Sequence, residues 1–182
     1  MTIDGWIEGR FVRLRSITEH DAEFSFSIRN SKHASGLVGV KVESVDDQRE
    51  YIRKQRKKEG DYYFVVTNMK EEPIGLIGVY DINGDEAEIG REVSIGNPAE
   101  MLEPGILIAE FSLNYLKLRN LRFIVYKKNT KHIMSLKQEG LIPTEEIIHS
   151  GEPSLIYRVD LYNSAVSEKR KRLLDVYMRI NK

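Results

Sequence analysis

The sequence predicts an α/β or α+β layer fold, because strand-like and helix-like segments alternate along the chain without an internal repeat or low-complexity stretch. An Asn83-Gly84 pair between two apolar runs is the strongest hairpin signal, and it makes those two strands antiparallel neighbours. From Glu86 to Leu141 the order is strand, glycine-containing turn, amphipathic helix, strand, and an asparagine-initiated helix ending on glycine.

In chain order, the strands are expected at Phe11 to Leu14, Tyr62 to Asn68, Ile74 to Asp81, Ala87 to Ile95, Leu121 to Tyr126 and Ser154 to Leu161. A turn at Met69 to Pro73 joins the second and third as a hairpin. The helices are expected at Glu19 to Arg29, Ser44 to Glu59, Met101 to Leu118, Thr130 to Glu139 and Ser164 to Ile180. In the second helix Val45, Tyr51 and Ile52 point inward, while Arg49, Arg53, Lys54, Arg56, Lys57 and Lys58 form a basic end. Such a run is usually a solvated face; the alternative is a docking patch for phosphates. In the third helix Leu102, Ile106, Ala109, Leu113 and Leu116 recur at helical spacing after the turn Gly96-Asn97-Pro98-Ala99. Asn129 opens the fourth helix, Ile133, Met134 and Leu136 form its apolar side, and Gly140 closes it. The last helix carries Val166, Leu173, Leu174, Val176, Tyr177 and Ile180. It either packs on the domain or forms a homodimer contact, giving a domain of residues 1–162 with an appendage of residues 163–182.

At 182 residues the chain is long enough to bury a substantial core without disulfides or metal. Its 28 basic and 28 acidic residues give zero formal net charge, so no global field attracts nucleic acid or a membrane surface. Any acidic ligand must be held locally. With no cysteine there is no disulfide and no thiol nucleophile, and the four scattered histidines lack metal-ligand spacing, so no metal is expected. Met1 to Arg10 lacks the apolar run of a signal peptide, and nothing later approaches a transmembrane length. A soluble, cytoplasmic protein is the expectation.

Val12-Arg13-Leu14-Arg15-Ser16-Ile17-Thr18 followed by Glu19-His20-Asp21-Ala22, then Pro73-Ile74-Gly75-Leu76-Ile77-Gly78-Val79-Tyr80, then Asn129 with Gly140-Leu141, occur in an order that resembles the GNAT superfamily of acyl-coenzyme A N-acyltransferases. The branch most similar contains ribosomal-protein N-terminal acetyltransferases and nucleotide-amino-sugar acetyltransferases. The resemblance covers most of the chain and implies a mixed, mostly antiparallel central sheet flanked by helices. It also implies acetyl-coenzyme A as cosubstrate. The coenzyme is then expected along Val93, Ile95, Gly96, Asn97, Ala99, Glu100 and Met101, and at Asn129 and His132 of the later helix.

The phosphate turn departs from the family pattern of Arg or Gln, two residues, Gly, one residue, then Gly or Ala. Here it reads Gly96-Asn97-Pro98-Ala99-Glu100, with Glu103-Pro104-Gly105 close behind. Such a turn should offer free backbone N–H groups at a helix start, where the dipole favours a diphosphate. Proline removes one donor, and two glutamates add negative charge beside an anion. A degenerate turn still leaves the pantetheine arm, which hydrogen-bonds like an added strand to an exposed sheet edge.

Acyl transfer to an amine needs a neutral nitrogen, a path for its proton, a held thioester carbonyl and often an acid for the leaving thiolate. Glu88, in the strand before the phosphate turn, matches the place where several family members carry a glutamate base. Alternation puts Glu92 on the same face, making it the reserve candidate. The bland alternative for each is a solvent-facing or ion-paired strand residue. Asn129 matches the family asparagine that bonds the pantetheine arm, and it is also a good helix N-cap. The family's tyrosine acid, seven residues later, is Leu136 here; Tyr126 and Tyr80 are the substitutes at hand. His132 could reach phosphates from the first turn of its helix. Arg29-Asn30 matches a pair often found in the amino-sugar branch, so both residues, with Tyr80, are expected to line the acceptor pocket.

The leading expectation is an N-acetyltransferase acting on a small-molecule primary amine, such as a nucleotide-linked amino sugar, by direct attack in a ternary complex. No serine- or cysteine-centred triad supports a covalent intermediate. A protein N-terminus or lysine is the alternative acceptor. A GNAT-shaped binding or regulatory protein without catalysis is the alternative class, motivated by Pro98, Glu100, Glu103 and Leu136. Nucleic-acid binding would rest on Arg49 to Lys58 alone.

Overall fold

In the computed structural model, which describes residues 1–31, 43–163 and 165–180, eight strands form one sheet. They are β1 (Trp6–Glu8), β2 (Val12–Ser16), β3 (Tyr62–Asn68), β4 (Pro73–Asn83), β5 (Glu86–Ser94), β6 (Asn120–Tyr126), β7 (Glu145–His149) and β8 (Glu152–Asp160). Their spatial order is β1-β2-β3-β4-β5-β6-β8-β7, and every neighbouring pair is antiparallel except β5 and β6. The mixed, mostly antiparallel sheet flanked by helices is therefore the observed architecture. The β4–β5 hairpin forms as expected, with Asn83 paired to Glu86 and Gly84 at φ 61 in the connecting turn.

The helices are α1 (Ala22–Arg29), α2 (Val45–Lys57), α3 (Pro98–Asn114), α4 (Thr130–Gln138) and α5 (Ala165–Ile180). Strand alternation sends the two faces of the sheet to different partners. On one face Tyr63, Val65, Leu76 and Val93 pack with Ile17, Ala22, Ile28 and Ile52 around α1 and α2. On the other, Val12, Phe64, Ile77, Val79 and Ala87 pack with Leu107, Ile108 and Phe111 of α3. Phe111 anchors this side, its ring edge-on to Tyr62 and Phe64 at 5.5 Å from each. Leu136 of α4 is fully buried with Val125, Leu155 and Tyr157. Leu174 of α5 is buried against Ala99 and Ile106, so this helix lies on α3. Ser164 and the side chains of Val166, Tyr177 and Ile180, which the sequence pattern assigned to that helix, lie outside the described residues. Among the described residues no helix is long and apolar enough to cross a membrane.

Four features refine the sequence expectation. The third helix starts at Pro98 rather than Met101, because Asn97 caps it and proline at the first helical position gives up an N–H that has no helical partner anyway. Glu103 is buried and turned away from the phosphate turn, its carboxylate accepting the backbone N–H groups of Arg10, Phe11 and Val12 at 2.8, 2.7 and 2.9 Å. The basic end of α2 is the solvated face expected of such a run, with its cations largely engaged in the chain's own contacts: Arg53 pairs with Glu19 and Glu50, Lys58 with Asp61 and Asp81, and Arg56 donates to the Ile17 carbonyl. Tyr51, expected inward, is 39% exposed at the rim, although its ring meets Tyr63 edge-on at 6.4 Å.

Candidate active site

The β5–β6 pairing is parallel and short, running from Glu86↔Asn120 through Ala87↔Leu121 to Glu88↔Arg122. Beyond it β5 continues to Ser94 and β6 to Tyr126 without further pairs, so the strands part. The gap is a cleft of about 730 Å³ with Glu88 where the ladder ends, Ile89 and Val93 on one wall, Phe123 and Val125 on the other, and Ile106 of α3 below. The parted edge of β5 offers backbone groups to an extended ligand arm, as a sheet edge does to an added strand.

Glu88 is 8% exposed, a degree of burial that a carboxylate tolerates when it is hydrogen-bonded. The Tyr80 hydroxyl donates to its Oε1 at 2.8 Å, and an Arg122 guanidinium nitrogen lies 3.3 Å from its Oε2. Burial pushes the Tyr80 phenol far above its ordinary range, and the Glu88 charge and hydrogen bond add to that shift. Tyr80 is thus a firmly protonated donor. Its reach depends on Gly90, where a Cβ atom would overlap the Tyr80 hydroxyl.

Beside this pair lies Arg91, which the sequence did not single out. It has φ 55, a left-handed value that costs a non-glycine residue energy and needs compensation. Its guanidinium sits 4.1, 5.3 and 5.7 Å from the ring centroids of Tyr80, Tyr63 and Tyr51. It also donates to both oxygens of Asp61, at 2.5 and 2.8 Å, and Asp61 is 1% exposed. Burial opposes the arginine's charge, but the Asp61 bonds outweigh it and hold its pKa above the ordinary value.

The left-handed residue marks a bulge. Gly78 pairs with Gly90 and Leu76 with Val93, so β5 spends one residue more than β4 between these pairs. Alternation is thereby reset: Val93, not Glu92, joins the α1/α2 face that Glu88 shares with Tyr80. Glu92 lines the cleft but is exposed, and it does not share the Glu88 face as simple alternation implied.

At the phosphate turn the chain satisfies its own amides. Ile95 N–H donates to the Ile74 carbonyl at 2.9 Å and Gly96 N–H to Ser94 Oγ at 3.1 Å. Asn97 N–H donates to Glu100 Oε2 at 2.8 Å, while Ala99 and Glu100 N–H donate to Asn97 Oδ1 at 3.0 and 3.2 Å. Met101 N–H reaches the Asn97 carbonyl at 2.9 Å. Pro98 has none to give. Met101 lines the cleft, but Ile95, Gly96, Asn97, Ala99 and Glu100 do not. Ala99 is buried against α5 and Ile95 is 51% exposed.

Comparison with known proteins fits this geometry. The sequence model of the acetyltransferase (GNAT) domain matches residues 12–141, more than half of the chain. The chain belongs to the GNAT acetyltransferase family. No curated protein sequence matches it significantly. Among solved structures, the GNAT chain is similar to apo FdhC, described as a nucleotide-linked sugar GNAT, with TM-score 0.76 and 21% identity over 94% of this chain and 97% of that one. A GCN5-related N-acetyltransferase from Brucella melitensis gives TM-score 0.77 and 15% identity over 94% and 86%. A mutant form of the spermidine N-acetyltransferase SpeG from Vibrio cholerae gives TM-score 0.70 and 16% identity over 84% and 95%.

The remaining expected site residues of this GNAT chain divide by position. Arg29, Tyr80, Asn129 and His132 line the cleft, whereas Asn30 does not. Asn129 caps α4 by accepting the His132 N–H at 3.2 Å, and the His132 ring stacks near Phe123 at 6.5 Å. Leu136 lies in the core, so α4 presents no phenol at that position. Tyr126 lines the cleft from the β6 side.

Proposed function

We propose that this GNAT chain is an N-acetyltransferase that moves an acetyl group from a coenzyme A thioester to the primary amine of a small molecule. Glu88 carries the proposal: a buried carboxylate at the point where β5 and β6 part, facing the cleft and held by Tyr80 and Arg122. The acyl donor supplies an electrophilic thioester carbonyl. Glu88 takes one proton from the substrate ammonium, the freed nitrogen attacks the carbonyl carbon, forming C–N as C–S breaks, and the second proton lost by the nitrogen balances the one given to the leaving thiolate. Tyr80 is committed to Glu88, so Tyr126 is assigned to protonate the leaving thiolate. Asn129 is assigned to the pantetheine arm along the open edge of β5.

For the acceptor, a nucleotide-linked amino sugar ranks first, supported by Arg29 in the cleft and by the likeness in fold to FdhC. The basic end of α2 adds little support, since most of its cations are engaged within the chain. The test is thioester loss against nucleotide amino sugars, polyamines and peptide N-termini, with Glu88→Gln beside the wild type. Loss of the base should lower kcat about 10²- to 10⁴-fold with donor binding unchanged. Equal kcat in the variant removes Glu88 from the role.

A further inference from the structure

We infer that this chain grips its acyl donor by the pantetheine arm and turns the diphosphate away from the start of α3, with Glu100 as the excluding residue. This rests on the cleft being a thioester site, as proposed above. Every N–H from Ile95 to Met101 that could cradle an anion already has an acceptor within the chain. The Glu100 carboxylate occupies the anion position itself, accepting from Asn97 N–H at 2.8 Å. It also folds over Gly96, where a Cβ would lie 2.7 Å from Glu100 Cβ and 3.1 Å from its Oε2. For a diphosphate to enter, Glu100 must leave its box, and its charge would then sit beside the incoming anion. The apolar walls of the cleft, Ile89, Val93, Phe123 and Val125, carry no such obstacle to pantetheine. The donor class is therefore a pantetheine thioester, with the adenine nucleotide contributing little to its binding.

The experiment is calorimetric titration of the full chain with acetyl-coenzyme A and with S-acetylpantetheine, repeated on Glu100→Ala. That variant retains Asn97, so α3 keeps its N-cap, and circular dichroism checks the fold. Glu100→Gln keeps a capping side chain and removes the charge alone. The wild type is expected to bind the two thioesters within about tenfold of each other. Glu100→Ala should tighten acetyl-coenzyme A about tenfold, leave S-acetylpantetheine within about twofold, and Glu100→Gln should fall between. A wild-type preference for acetyl-coenzyme A above about tenfold, or a Glu100→Ala ratio no wider than that of the wild type, overturns the inference. If neither thioester binds any of the three proteins, the thioester reading of the cleft fails and the inference falls with it, an outcome distinct from a mere change in preference.

Discussion

Replacing Arg91 by glutamine tests whether the left-handed bulge and its tyrosine box hold the site together. In the wild type Asp61 is 1% exposed and receives two guanidinium bonds, at 2.5 and 2.8 Å. Gln55 Nε2 adds one more at 3.0 Å, which cannot neutralise the charge, and Lys58 Nζ, 3.7 Å from Asp61 Oδ2, is 57% exposed and so supplies only a screened attraction. Breaking a buried pair by removing one partner costs about 3–5 kcal/mol, because the remaining charge is left in a poor solvent. Both side chains are well buried, with 15% and 2% exposure, so solvent screening takes little from that figure. Urea unfolding of Arg91→Gln should thus lose about 3–5 kcal/mol, or on the order of 10 °C in Tm for a chain of this size. Asp61→Asn should restore part of it, since the double variant leaves no unpaired charge; a coupling of about 2 kcal/mol is expected. A loss below about 1 kcal/mol, or strictly additive variants, refutes the account of Arg91 as a paired, buried cation.

Two further outcomes follow from buried carboxylates. Glu103→Ala strands the three amides of Arg10, Phe11 and Val12 and should cost roughly 3 kcal/mol or more in the same unfolding assay; a change under about 1 kcal/mol would show that water replaces the carboxylate freely. Burial pushes the carboxyls of Asp21 and Asp61 up, but hydrogen bonds from Arg15 and Arg91 outweigh it and hold both below the ordinary aspartate value. A depressed folded pKa gives stability that is complete above the unfolded value, about 3.9, and lost as pH falls through the lower folded value. Urea midpoints should therefore be insensitive to these groups near neutrality and fall below about pH 4, and the Asp21→Asn, Asp61→Asn pair should flatten that acid limb.

What the sequence made legible was local. Asn83-Gly84 announced its hairpin, Asn129 its cap, and the spacing of Leu102, Ile106 and Ala109 a helix, because each signal lies within a few residues. Glu88 was found by its place in a family-like order and does line the cleft. The misses are long-range or turn on an inserted residue. Arg91 and Asp61 are separated by 30 positions, and Glu103 reaches amides more than 90 positions away. Glu92 is misplaced by simple alternation because one extra residue in β5 inverts every later side-chain direction; the isolated Gly90 within the strand pattern is the local signal that such a bulge leaves in the sequence. The edge strand β7 has no apolar alternation, but its hairpin turn was readable in principle: Ser150 and Gly151, at φ 50 and 78, form the type of two-residue turn that glycine favours.

The site's order traces to two glycines that face each other across the sheet. Gly78 and Gly90 are register partners on β4 and β5, leaving a bare patch of backbone without Cβ atoms. Two large side chains lie flat on it. Arg91 crosses Gly78, where a Cβ would sit 3.5 Å from its Cδ and Nη1, and Tyr80 crosses Gly90 on its way to Glu88. The guanidinium then stacks on the Tyr80 ring at 4.1 Å, so the cation fixes the ring and the ring fixes the hydroxyl. Glu88 cannot move along its strand, being the last residue paired with β6, so the carboxylate and its donor have a common rigid base. A buried acid proposed to act as a base needs such support, because a loosely held partner would let it turn toward solvent or toward Arg122 alone. The bulge at Arg91 provides it: without the extra residue, the arginine could not leave the strand's alternation to reach Asp61 and cover the tyrosine from the same face.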